Sequence, residues 1–263
     1  MKISEITSAI EAFAPLALQE DYDNSGLIVG RYDQEVHAAL LAVDVNEEVM
    51  DEAERTGCDL IITHHPIVFR AMKRFNSEDL TQRCVERAIR KGIALYACHT
   101  NLDAAPGGMS WRLAQILGVE HCSVLEPKTE VAGHMAGFGI VGELTAEEDT
   151  VEFMQRMRKV LNVKCVRYTQ IATEKVRRVA ICTGSGVDLI GAAVRAGADL
   201  YITADLKYHD FTIPDGRVTV ADIGHFESEY CAIQLIFDIL SKKLITFAVR
   251  KSECSCNPVN YLV

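Results

Sequence analysis

The chain has 263 residues, 49% of them hydrophobic and 24% charged, which is an ordinary globular profile with room for one large core or two modest ones. Its 27 basic and 37 acidic residues give a formal charge of −10, which disfavours nonspecific binding to nucleic acid or to an anionic membrane. No apolar run approaches the roughly 20 residues that span a bilayer, and Met1-Lys2-Ile3-Ser4-Glu5-Ile6 reads as the start of an amphipathic helix rather than a signal peptide.

Along the chain, short β-rich runs alternate with helix-period segments, which predicts an α/β class with mainly parallel strands. Residues 36–45 read as a strand, 47–56 as a helix and 59–63 as a strand. A helix over 77–91, a strand over 93–98 and a helix over 109–117 follow, the last closed by Gly118 at its C-cap. Two strand-like runs, 135–142 and 163–170, flank a helix over 150–161. The first order then returns: strand 178–183, helix 187–196, strands 199–203 and 218–222, and helix 228–240.

The return is visible in the letters. Gly57-Cys58-Asp59-Leu60-Ile61-Ile62-Thr63 and Gly197-Ala198-Asp199-Leu200-Tyr201-Ile202-Thr203 agree at five of seven positions, each after a helix and before a polar turn. We therefore expect two related βαβ halves, 1–119 and 176–263, packed as one compact unit. Residues 120–175 form a β-rich excursion that decorates the sheet or makes an interface. Ligands of open parallel sheets bind beyond the carboxyl ends of the strands, so two such halves are expected to bring their strand ends around one cleft.

Nine cysteines are present, and Cys58, Cys98, Cys165, Cys182 and Cys231 lie in apolar runs without C-x-x-C spacing. This fits thiols in a reducing cytosol, and the expected location is cytoplasmic. Cys254-Ser255-Cys256 lacks two of the ligands a structural zinc site requires and reads as incidental.

The chemistry concentrates at strand ends. His64-His65 follow one strand directly, and Pro66 breaks the extended backbone so that both rings can face one point. His99 and Asp103 follow a second strand, Asp205 and His209 the repeat copy, and His225 and Glu229 the last strand. Four strands ending in histidine or carboxylate are hard to produce by chance with only eight histidines. Mixed imidazole and carboxylate ligation suits Zn²⁺, Mn²⁺ or Fe²⁺. The donor supply exceeds what one ion needs, which favours two divalent ions per chain that polarise a substrate oxygen and lower the pKa of water. His99 and His209 are the candidates for proton transfer or for orienting the ligands. Arg70, Lys73, Arg74 and Lys207 offer positive charge to an anionic substrate, with Lys73 and Arg74 the favoured pair. His37, His121 and His134 read as surface or otherwise satisfied residues, and Trp111 as a packing anchor.

These residues resemble a known family. Tyr22-Asp23-Asn24-Ser25-Gly26-Leu27 looks like W-D-N-x-G-L, and His64-His65-Pro66-Ile67-Val68-Phe69 with Lys73-Arg74 looks like its H-H-P segment. His99-Thr100-Asn101-Leu102-Asp103, followed by Gly107-Gly108, looks like H-T-N-x-D. Residues 199–209 are similar to T-G-D-x-x-Y-H, and 224–229 to G-H-[FY]-x-S-E. Nearly the whole chain thus resembles the YbgI-like, GTP cyclohydrolase I type 2-like group, related to the Ngg-one-interacting-factor-three-like proteins. The resemblance implies a dinuclear centre held by His64, His65, Asp103, His225 and Glu229, with Glu229 bridging, and a toroidal homohexamer. Tyr22 stands where the family has Trp, Ala204 stands where it has Gly, and the long mid-chain insertion of some relatives is absent.

Two functions compete. One is a dinuclear metal-dependent hydrolase acting on a nucleotide or related small molecule, although no G-x-x-x-x-G-K-[ST] loop is present to cradle phosphates. The other is a non-enzymatic metal-binding scaffold, chaperone or protein-interaction oligomer. Nucleic-acid binding through a ring is a weaker third reading, which the net charge opposes.

Overall fold

The computed structural model describes residues 1–262. The first elements in chain order are α1 (Ile3–Glu11), β1 (Gly26–Val29), β2 (Ala38–Ala42), α2 (Glu47–Thr56), β3 (Leu60–Thr63), α3 (Leu80–Lys91), β4 (Ala94–Ala97) and α4 (Thr100–Ala104). Then come α5 (Met109–Leu117), β5 (Val119–Val131), β6 (His134–Asp149), α6 (Thr150–Val160), β7 (Arg167–Tyr168) and β8 (Lys175–Ser185). The order closes with α7 (Ile190–Arg195), β9 (Leu200–Ala204), β10 (Thr219–Asp222), α8 (His225–Glu229), α9 (Cys231–Lys243) and β11 (Ala248–Lys251). The α/β class read from the sequence is the observed one. No helix among the described residues is long and apolar enough to cross a membrane.

Packing divides the chain into two compact units. The first comprises Met1–Ala105 and Ala232–Cys256, and the second comprises Pro106–Cys231 with the described residues from Asn257 onward. The expected division at 119 and 176, with both halves in one unit, differs from this. Strands β5 and β6 of the supposed excursion are hydrogen-bonded into the second sheet, and α5 packs with them. The C-terminal β11 instead pairs with β2 in the first unit.

The first unit is built on a five-stranded sheet in the order β1-β4-β3-β2-β11, with β1 antiparallel and the rest parallel. Its central strands are wholly buried, as a parallel sheet covered on both faces requires. Leu40, Ala42, Ile61 and Leu95 meet Val49, Met50 and Ala53 of α2 and Cys84 and Ala88 of α3. Local signals set the helix ends. Asn46 and Asp79 accept the N3 backbone N–H groups of α2 and α3, and Gly57 and Gly92 end these helices in the left-handed conformation. The Asp79 cap explains why α3 begins at Leu80, later than the expected 77.

The second unit carries a six-stranded sheet in the order β5-β6-β8-β9-β10-β7. Strands β8, β9 and β10 run parallel, and the others pair antiparallel. Successive strand residues serve opposite faces. Val179, Ile181, Leu200 and Ile202 pack with Leu117, Phe153 and Met157, whereas Ala180, Cys182, Tyr201 and Val220 pack with Ile190 and Ala193. β5 and β6 form a long hairpin in which Val131 pairs with His134. Ala132 and Gly133 between them both have positive φ, the geometry that matches the twist of a two-residue hairpin.

The sequence echo has a structural cause. Asp59 accepts the backbone N–H groups of His37 at 2.8 Å and Ala38 at 3.2 Å, tying the start of β3 to that of β2. Asp199 does the same for Arg177 at 3.0 Å and Arg178 at 2.8 Å, tying β9 to β8. The two segments repeat because each makes the same join.

Candidate metal-binding residues

In the first unit, β3 and β4 are adjacent and parallel, so their carboxyl ends deliver His64, His65 and His99 together. One nitrogen from each of these three rings lies within 4.8 Å of the others. Ring centroids are 5.0 Å apart for His64 and His65, 5.3 Å for His64 and His99, and 5.5 Å for His65 and His99. Asp103, on α4, places Oδ1 3.8 Å from His64 Nε2. His64 is fully buried.

Each ring is held through Nδ1 by an oxygen. His64 Nδ1 lies 2.7 Å from the Cys98 carbonyl, His65 Nδ1 lies 2.8 Å from Asp44, and His99 Nδ1 lies 2.6 Å from Asp23. An oxygen on Nδ1 fixes the ring's orientation and assigns coordination to Nε2, the arrangement found behind metal-ligating histidines. Asp23 is itself fixed by the Asn24 N–H, the Ser25 hydroxyl and the Thr100 N–H and hydroxyl. Burial pushes its carboxyl upward, but these donors and His99 outweigh burial and hold it well below the usual carboxylate range.

The second unit presents its own set beyond β9 and β10. His225 opens α8, with Nδ1 2.8 Å from Asp205 and Nε2 2.9 Å from Oε2 of the buried Glu229 one turn later. Burial pushes the His225 imidazole down, yet its bonds to Asp205 and Glu229 prevail and raise it to about 11. Asp205 is lowered, first by its bond to His225. Gly184, at the end of β8, has a φ of +64° and approaches Glu229 so closely that a Cβ there would lie 2.2 Å from Oε1. Its N–H donates to Ser228 Oγ at 2.9 Å.

The structure therefore brings His64, His65 and Asp103 together in one unit and His225 and Glu229 together in the other. His99, expected to transfer protons, sits among the donors of the first unit. His209 lies exposed on a 3-10 turn, its ring against Tyr208 at 5.1 Å, and belongs to no donor group among the described residues. Lys73 and Arg74 are exposed on the loop between β3 and α3, as is Arg70. Sequence reasoning missed Asp44, Asp23 as a clamp for His99, and Gly184. Asp44 stands just past the end of β2, a position that was open to the same strand-end reasoning.

The donor chemistry fits divalent cations of borderline hardness: imidazole nitrogens held for coordination, with a carboxylate beside them in each unit. Known proteins resemble the chain over nearly its whole length. A protein of Clostridium perfringens named GTP cyclohydrolase 1 type 2 homolog is 37% identical, covering 95% of this chain and 97% of that protein. A Clostridium acetobutylicum protein of the same name is 34% identical over 93% of this chain and 90% of its own. A solved Staphylococcus aureus hypothetical protein superposes with a TM-score of 0.91 at 26% identity, covering 100% of this chain and 99% of that one. The profile of one family matches residues 1–258, so that fold, motifs and relatives agree: the chain belongs to the Duf34/NIF3 (NGG1p interacting factor 3) family.

Proposed function

We propose that this protein is a divalent-metal-dependent hydrolase of a nucleotide or related small molecule, holding two ions of Zn²⁺, Mn²⁺ or Fe²⁺ through His64, His65, Asp103, His225 and Glu229. The observation that carries the reading is the clamping of His64, His65, His99 and His225 at Nδ1, which spends structure on fixing imidazoles in ligand geometry. The names borne by the clostridial relatives support the nucleotide class. Bound cations supply Lewis-acid polarisation of a carbonyl or phosphoryl oxygen. His99, whose Nδ1 meets the Asp23 carboxylate, would carry a proton at Nε2. Lys73 and Arg74, exposed beside the H-H-P segment, would receive an anionic tail, and His209 would act only through movement of its turn. We place the protein in the cytoplasm as a homohexamer. All nine cysteines are free thiols, as a reducing compartment requires.

Elemental analysis of purified protein, together with a panel of nucleotides and phosphoesters, tests this reading. The expected result is about two equivalents of metal and turnover of at least one panel member. Both should be lost in Asp103→Ala and in Glu229→Ala. Loaded protein that is inert across the panel, yet loses its oligomer on chelation, would assign the ions to a scaffold instead.

A further inference from the structure

A second site is suggested within the second unit, on the exposed side of α6. A cavity of about 370 Å³ is lined by Val151, Met154, Gln155 and Arg158 of that helix, and by Lys164, Cys165, Val166 and Tyr168 beyond it. The four helix residues are spaced at three, four and seven from the first, so they form one face of α6. Its volume falls in the range that accommodates one small ligand, roughly 300–1,000 Å³.

The charge around it runs against the rest of the molecule. From Phe153 to Thr173 the chain has five basic residues, Arg156, Arg158, Lys159, Lys164 and Arg167, and no acidic one, in a protein whose net charge is −10. Arg156 is engaged by Glu148, and Arg167 by Asp222. Among the described residues no carboxylate pairs with Arg158, Lys159 or Lys164. Arg158 donates through Nε to the Val163 carbonyl at 3.3 Å, and its side chain and that of Lys164 line the same cavity. Two cations lining one cavity with no partner charge favour a dianion, which a guanidinium meets with paired donors. Along the same cavity Val151, Met154 and Val166 give an apolar floor, and Tyr168, half exposed, gives an aromatic face.

We propose that this cavity binds a small phosphorylated molecule with a planar body, its phosphate on Arg158 and Lys164 and its ring along Tyr168. A long nucleic-acid strand does not match so small a hollow, and an uncharged ligand would leave both cations unanswered. The site draws only on residues of α6 and the segment after it, so it is independent of the metal-binding residues and of the reaction proposed for them.

Cys165 provides a local reporter, because it is an exposed free thiol in the cavity wall. Its alkylation by iodoacetamide is followed by peptide mass spectrometry on the full-length protein, with exposed Cys256 as the internal control. GMP near saturation should slow alkylation of Cys165 by about fivefold or more, as expected for a ligand several times above its Kd, while guanosine has little effect and Cys256 is unchanged. The double variant Arg158→Gln/Lys164→Gln, checked for folding by circular dichroism, should lose the protection. No protection by GMP, equal protection by guanosine, or full protection in the double variant would each overturn the proposal. Protection by a single-stranded RNA but not by GMP would overturn it too, and would assign the basic face to nucleic acid.

Discussion

The two units are built on one plan and equipped differently. In the first, β1-β4-β3-β2 consists of three parallel strands with an antiparallel edge on β4; in the second, β7-β10-β9-β8 repeats that arrangement. β3 aligns with β9 and β4 with β10, so the pairs Leu60–Ala94 and Leu200–Thr219 are equivalent. Counting onward, His64 and His65 correspond to Ala204 and Asp205, and α4 corresponds to α8. Asp103 then matches Ser228, and Glu229 falls one residue beyond. The architecture was kept while the donors were not. The first unit has three clamped histidines, whereas the second has one histidine held between two carboxylates.

That contrast can be broken at its tightest point. Gly184→Ala should damage the second unit's donors most directly, because the new Cβ meets the buried Glu229 carboxylate at a backbone angle that alanine resists. Metal affinity should fall by about 100-fold or more in isothermal titration with Zn²⁺ or Mn²⁺, as when the support of a ligand is removed. Unchanged binding would mean that Glu229 is not a ligand.

The clamps sharpen the comparison. Asp23→Asn keeps the shape but withdraws the charge behind His99, and should weaken metal binding or turnover by about 10–100-fold. Asp205→Asn, at the more exposed clamp of His225, should fall at the lower end of that range. If Asp205→Asn proves the more harmful, the second unit, not the first, dominates binding.

The shared join predicts a matched pair of stability losses. Asp59→Ala and Asp199→Ala each strip two backbone N–H groups of their acceptor, at about 1–3 kcal/mol apiece in urea denaturation. Metal content should be unchanged in both. A large loss in only one would show that the join bears weight in one unit alone.

The smallest effect lies in a feature of the first unit. Buried Glu52 accepts the Ser252 hydroxyl and the N–H groups of Glu253 and Cys254, holding the segment after β11 against α2. Burial raises its carboxyl, but these donors prevail and lower it below its ordinary value. A carboxyl depressed in the folded state stabilises above its unfolded pKa and loses that stabilisation as the pH falls through the acid range. Glu52→Gln should therefore cost about 1 kcal/mol at neutral pH, and the gap to wild type should narrow on acidification. A gap that widened with acid would reverse the assignment.

What could be read beforehand follows the same divide between plan and equipment. Wholly buried parallel strands betray themselves as apolar runs, so β3, β4, β9 and β10 and their terminal histidines stood out. Asp59 and Asp199 carried the repeat in plain letters. The clamps did not, because Asp23 and Asp44 meet His99 and His65 only after separations of 76 and 21 residues. Gly184 gave no signal, since the need for its missing side chain comes from a carboxylate 45 positions onward. The long hairpin was half hidden because much of β5 faces outward and alternates poorly. The two-residue β7 is too short to carry a period at all.

The return of β11 to the far edge of the first sheet also sets a timetable for biosynthesis. The ribosome releases β1 to β4 early, but their outer partner is among the last stretches to emerge, after the entire second sheet has been made. A nascent chain thus holds the open edge of β2 exposed while its neighbour completes folding, which is the interval in which chaperones or stray edge pairing can intervene.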